Sequence, residues 1–582
     1  MDESGAERKS TARFARALVV DAYRLLLCAA LGAVTGLVAI AFRSSVAGLE
    51  HWIAGVAAPV SSPGSAALAR GLLVLAPALG GLCVGLLVYR LIRVRAGHGV
   101  PAVITAAAAD RPMNDWRMGV KAGSSVITIG SGGSVGPEGP IVELGAVIGS
   151  YAWKLFRLPG EWVRILMGCG AAAGIAAVFN VPLGGVIFVL DVVLRDYSLR
   201  SLAPLMVASM AASTVNRYGG APAVQLPAYV LRGDEMLCAP LLGLAAAIVS
   251  TLFIRANFLA ADVFKRAPGP VWLRPALGGL CVGLLGLLAP RAMGEGYNVI
   301  RDMVSEGQAG TIVVLSLMGL VIARILATAC ILGSGGTGGA FAPSLVIGAA
   351  LGLAMAGASS TLLGLRVDPV AFALTGMAGL LAGVFNAPLS AIVIAFNLSR
   401  WNGQLLLPLM CAAVASAWLT QHLARASVYE LGLLRDGVDL AASRSLQSIL
   451  AGRGISGLVR RPIATIAHDA TLGRMIDTVS HTNQTVFPVV SADAAVTGVL
   501  RMRALRSVLR ESQLDESVIA ADLMEPMCQT LCPTDSLATA WTLFAETDDD
   551  ELLVIDPHAH GDQPERAPGI VRRSDVVGHV RW

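Results

Sequence analysis

The segment PALGGLCVGLL stands at Pro77 to Leu87 and again, unchanged, at Pro275 to Leu285, an offset of 198 residues. Eleven identical residues point to a duplicated unit, and following both copies outward lengthens the match. The glycine-rich run GSGGSVGPEGP at Gly130 to Pro140 returns as GSGGTGGAFAP at Gly333 to Pro343, offset by 203. Farther on, GAAAGIAAVFNVPLGGVIFVLD from Gly170 returns as GMAGLLAGVFNAPLSAIVIAFN from Gly376, offset by 206. Chance likeness between Gly/Ala/Leu-rich segments accounts for one such block but hardly for three in one order. Residues of about 70–195 and 268–400 are therefore two copies of one unit.

Composition says what surrounds these copies. Of 582 residues 55% are hydrophobic and 14% charged, with a mean hydropathy of +0.67, which excludes an ordinary soluble globule. Apolar runs long enough for helices of about 20 residues recur from Leu25 to Leu423, as in a multi-pass membrane protein. The first 24 residues, with Arg8, Lys9, Arg13 and Arg16, lack the short apolar core and cleavage site of a secretory signal and read as a cytoplasmic segment. A net charge of +4 decides nothing about partners, and nothing indicates nucleic acid. The nine cysteines form no disulfide framework, and Cys528 and Cys532 lack the companions of a metal site. The eight histidines are scattered and no His-Glu pair occurs, so the chain is not read as an enzyme.

Charge also orients the copies. The first PALGGLCVGLL is followed by Arg90, Arg93, Arg95, Arg111, Arg117 and Lys121, the second by Arg291 and an opposing Glu295. The positive-inside bias puts these ends on opposite faces. The expected fold is an all-α polytopic membrane protein of two inverted, antiparallel repeats with re-entrant half-helices, whose equivalent loops meet near mid-bilayer.

Each copy brings glycines and a proline to the start of an apolar helix: GPEGPIVELGAVIG in one, GAFAPSLVIGAALG in the other. Free N–H groups and positive dipole ends aimed at one buried point, with no Lys or Arg in either motif, suit an anion held weakly enough to leave. The competing reading is tight helix packing, which glycines also serve in membranes. Glu138 stands in the first of these N-termini. A carboxylate at that depth costs several kcal/mol without a partner and is a functional candidate: it can occupy the anion site itself and be expelled by protonation, as a gate. A plain helix cap is the alternative. Glu143, about 140° farther round the helix, is expected to be a packing or vestibule residue. A carrier of an organic solute remains open on the repeats alone.

Over about residues 20–440 these motifs resemble the CLC chloride channels and proton/chloride exchangers. GHGVP at Gly97–Pro101 resembles the family's GSGIP, GPEGP at Gly136–Pro140 its G(K/R)EGP, and GAFAP at Gly339–Pro343 its GxFxP; Tyr429 stands at the pore-lining tyrosine. The resemblance implies a homodimer with one pore per subunit, in the cell (inner) membrane, both termini cytoplasmic and chloride as ligand. It makes Glu138 the gate. It assigns the anion to His98, Gly99, Gly136, Gly139, Ala340 and Phe341 with the Tyr429 hydroxyl. Three departures follow. His98 replaces the serine that helps hold the anion, Pro137 replaces a basic residue and its amide, and Val192 replaces the internal glutamate that relays protons in exchangers. Asp191 lies one position away, about 100° round the helix, as a candidate substitute. Channel-like conduction is the expectation and proton-coupled exchange the alternative.

After the membrane region, 25–440, composition turns charged. RDGVDLAASRSLQSILAGRG supplies a linker, 441–457, before β-rich runs in 458–582 that resemble paired cystathionine-β-synthase (CBS) domains, about 458–512 and 519–582. Such pairs can bind adenine nucleotide, with Ser574 and Asp575 as the matching contacts; a purely structural pair is the alternative. No other cofactor is expected.

Overall fold

The computed structural model describes residues 3–57, 63–93, 99–113, 115–219, 229–231, 233–305, 311–438, 453–492, 495–510, 518–526, 530–547, 549–555 and 569–578. His98 and most of the expected linker lie outside them. The chain forms two compact units, Met1–Val438 and Asp439–Trp582.

In the first unit, eight helices among the described residues are long and apolar enough to cross a bilayer. Shorter apolar helices accompany them at Pro182–Leu194, Pro369–Phe385 and Pro388–Leu398. One helix runs unbroken from Glu3 to Ala57, its apolar stretch opening at Val19. The boundary expected after residue 24 is therefore no structural break, because the segment holds no proline to end the helix.

The duplicated segment is the seam between the repeats. Helices Pro63–Gly85 and Arg274–Leu288 carry the two copies. A Cβ on Gly81 would stand 2.1 Å from the carbonyl oxygen of Pro275, and one on Gly279 2.0 Å from that of Pro77. Gly85 likewise faces Trp272 and Gly283 faces Val74, so positions rise along one helix as they fall along the other. The copies run antiparallel. In lipid no hydrophobic effect draws helices together, and small residues that admit backbone contact supply the packing instead.

Each repeat then packs internally in the same way. Gly145 and Gly170 meet between helices Glu138–Leu155 and Glu161–Phe179, as their repeat counterparts Gly348 and Gly376 meet between Phe341–Leu363 and Pro369–Phe385. Asn180 and Asn386 end the second helix of each pair in the left-handed conformation, at φ 55° and 53°, which asparagine tolerates better than most residues. A proline then opens the next short helix in both.

The second unit is α/β. Strand Val486–Val490 pairs in parallel with Ile466–Ala467 and antiparallel with Val496–Arg501; Glu551–Val554 pairs antiparallel with Gly569–Arg572. One core gathers Ile466, Met475, Phe487, Leu500 and Ala520, the other Ile455, Leu531, Ala540, Val554 and Val571. This fits a CBS pair and corrects its boundaries. Ile455, expected in the linker, is fully buried in the second core, drawn there as Gly454 bridges to Ser536. Ala520, expected in the second domain, belongs to the first core. Asp575 accepts from Arg460 Nε at 2.9 Å and Nη2 at 2.8 Å, so a bidentate pair engages both its oxygens, and Ser574 is exposed beside it.

Candidate anion-binding site

The glycine-rich loops do meet. After helix Ser125–Gly130 the chain turns through Gly132 at φ +98° into helix Glu138–Leu155; after Thr311–Gly333 it turns through Gly335 at +89° and Gly338 at +153° into Phe341–Leu363. Glycine occupies these left-handed positions without steric cost. Between the loops, Gly136 N–H donates to Gly339 O and Gly339 N–H to Gly136 O, each at 2.8 Å. This antiparallel clamp joins the repeats where both helices begin. It also withdraws Gly136 from the expected anion ligands, since its amide is spent on Gly339.

Beside the clamp lies a cavity of about 180 Å³, bordered by Gly99, Val100 and Pro101, by Gly139, by Gly338, Gly339 and Ala340, and by Tyr429. Three helix N-termini open on it: Val100–Ala108, Glu138–Leu155 and Phe341–Leu363. A fourth short helix, Val428–Arg435, brings Tyr429, 9% exposed, and is held by a capping box between Ser427 and Glu430. No charged side chain is among the described residues lining the cavity. Unspent N–H groups and dipole ends make it positive without a counter-charge, with room for a small anion and a few waters at about 30 Å³ each.

Of the expected ligands, Gly139, Ala340 and Tyr429 border this space, and Phe341 sits at the first turn of its helix, its ring against Phe179, Phe188 and Phe385. Gly99 also borders it, but its N–H donates to Glu143 Oε2 at 2.8 Å. That corrects two expectations. The Gly99 amide is engaged within the protein, and Glu143, 2% exposed, caps the Val100 helix rather than facing a vestibule. The sign lay in its buried helix face, but only the fold brings residue 99 to it.

Glu138 occupies the first position of its helix and is 1% exposed. The Tyr297 hydroxyl donates to its Oε1, while Oε2 has no protein partner. Tyr297 was not foreseen. Its signal was available: GEGY at 294–297 is the repeat counterpart of GHGV at 97–100, and the helices that follow, Val100–Ala108 and Tyr297–Ser305, both have nine residues. Aromatic rings then run from the Glu138 contact to the cavity, Tyr297 to Phe179 to Phe341 to Phe385 to Tyr429, with centroids 5.0–6.1 Å apart.

Comparison with known proteins places this arrangement. The family model for voltage gated chloride channels matches residues 80–421, which contain both clamped loops and Glu138. The chain belongs to the CLC family. It is 34% identical over 429 residues to a putative chloride channel protein, ClcB-like, of Ralstonia nicotianae, covering 71% of this chain and 97% of that one. Over 446 residues it is 32% identical to the H(+)/Cl(-) exchange transporter ClcA of Citrobacter koseri, covering 74% and 92%. A slow cyanobacterial Cl-/H+ antiporter superposes with a TM-score of 0.64 at 25% identity, over 71% of this chain and 97% of that one. A eukaryotic CLC transporter shares the fold over 96% of this chain and 98% of its own, with a TM-score of 0.63 at 20% identity.

Position 192 of this CLC chain is apolar. Val192 is 4% exposed in a π-helical turn, Val189–Leu194. Asp191 points elsewhere: Tyr197 donates to Oδ1 at 3.0 Å and the Ser390 hydroxyl to Oδ2 at 3.0 Å. Glu430, next to Tyr429, is bound by Arg195 and by the Ser427 amide. Asp191 and Glu430 thus already have partners.

Proposed function

We propose that this CLC protein carries chloride or a similar small anion passively, as a channel, through one pore in each subunit of a homodimer, with Glu138 as the gate. The observation that carries the reading is the three-N-terminus cavity beneath a buried carboxylate, combined with valine at position 192. An anion held by backbone dipoles alone can leave, and a valine can neither accept nor donate a proton. Asp191 and Glu430, each committed to neighbouring donors, lend no free carboxylate in its place. Proton-coupled exchange is the second reading, favoured by relatives named as exchangers; it needs Asp191 or a water chain as relay. The test is purified protein in liposomes under a chloride gradient. Anion flux without uphill proton movement is expected. Protons driven against their gradient would overturn the channel reading, and loss of that coupling in Asp191→Asn would identify the relay.

For the C-terminal unit we infer a structural, nucleotide-independent role, supported by the Arg460–Asp575 pair. ATP at millimolar concentration is expected to leave the thermal unfolding of the full chain unchanged. A saturable rise in unfolding temperature, abolished in Asp575→Asn, would contradict this.

A further inference from the structure

The loop that carries Tyr297 is held far more firmly than a surface turn between helices requires. Arg324, fully buried, donates from Nη1 to Met293 O at 2.8 Å and from Nη2 to Gly294 O at 2.6 Å and Glu295 O at 2.5 Å. Gly294 N–H donates to Gly132 O at 3.0 Å, tying the same loop to the turn that leads to Glu138. A Cβ on Gly296, at φ +89°, would stand 2.5 Å from Val346 Cγ2, so the backbone is pressed against the Phe341 helix. Tyr297 is itself buried, its ring edge-on to Phe179. These restraints deliver one hydroxyl to one place, and that place is the Glu138 carboxylate. A helix lining or a packing contact would need the ring alone.

Repeat symmetry sharpens the point. Tyr297 is the counterpart of Val100, whose helix N-terminus borders the anion cavity, and Arg324 is the counterpart of Lys121, buried beside Glu143. One copy of the loop thus borders the anion. The other touches the group that replaces the anion when the pathway is closed.

We propose that Tyr297 is a latch on the gate, a positioning residue whose hydroxyl holds the Glu138 carboxylate seated and must be released for the pathway to open. This rests on the reading of Glu138 as the gate. A donor bonded to a carboxylate favours the ionised over the neutral acid, so the latch sets the pH at which protonation opens the pathway. The other groups facing this pair are Glu295 from the same loop, Arg43 and Glu50 from the first helix, Arg324 from the Thr311 helix and Tyr429 from the Val428 helix. None of them is changed by removing one hydroxyl.

The test is chloride efflux from liposomes as a function of pH in Tyr297→Phe, which keeps the ring. Loss of a hydrogen bond to a charged acceptor should move half-activation upward by about one pH unit or more and raise flux on the alkaline side about tenfold. In Glu138→Gln, where the gate no longer titrates, the additional Tyr297→Phe substitution should leave the profile flat with pH. Incorporation of 3-fluorotyrosine at position 297, a similar shape with a stronger donor, should move half-activation the other way and serves also if the phenylalanine variant folds poorly. If Glu138→Gln keeps the wild-type pH dependence, the gate reading itself fails. If Glu138→Gln is flat but neither change at Tyr297 moves the profile, the gate stands and the latch is refuted.

Discussion

Glu138→Gln is expected to raise chloride flux on the alkaline side of the profile about tenfold or more and to remove its pH dependence. Glutamine imitates the neutral form at every pH while keeping the side chain's length and one acceptor oxygen. Glu138 begins its helix beside the clamp and is 1% exposed, and on the gate reading its carboxylate competes for the same N–H groups and dipole as a permeating anion. Neutralising it removes the competitor. Liposome efflux between pH 4.5 and 8.5 checks this, and a mutant whose profile still follows the wild type would place the gate on another residue.

Gly339→Val is expected to reduce flux to a tenth or less of the wild type, or to abolish recovery of folded protein. A Cβ there would lie 2.9 Å from the Gly139 nitrogen and 3.2 Å from Glu138 Oε2. Both neighbours belong to the helix that carries Glu138, and both hydrogen bonds of the clamp run through this residue. Overpacking in a filled interior typically costs about 1–3 kcal/mol, and here the nearest displaced atom, the Gly139 nitrogen, is backbone, which has no alternative rotamer. Gly319→Val is the control, since a Cβ at Gly319 meets nothing within 4 Å. Size-exclusion profiles and efflux of the two variants side by side make the comparison; equal behaviour would mean that the clamp can open without loss.

The turn at 189–194 shows where local reading stops. That position 192 is apolar is plain from the residues, and so is the phase difference that turns Asp191 away. Its partner Ser390 lies 199 positions later, in the other repeat, and no spacing rule links the two. Gly99 is a similar case. Its glycine is legible as part of an anion-binding motif, yet its amide is taken by a carboxylate 44 positions on.

By itself the sequence determined the membrane class, the duplication, the inversion of the copies and the helix N-termini aimed at one site. These follow from composition, exact repetition, charge asymmetry and the local chemistry of Gly and Pro, all properties of neighbouring residues. Only the tertiary structure decided which amides remain open to an anion, that Tyr297 touches Glu138, and that Asp575 holds Arg460. The physical reason is that a buried polar group must find a partner and takes whichever one packing brings within about 3 Å. That partner is chosen by the crossing of helices and strands distant in the chain, and no local spacing rule names it.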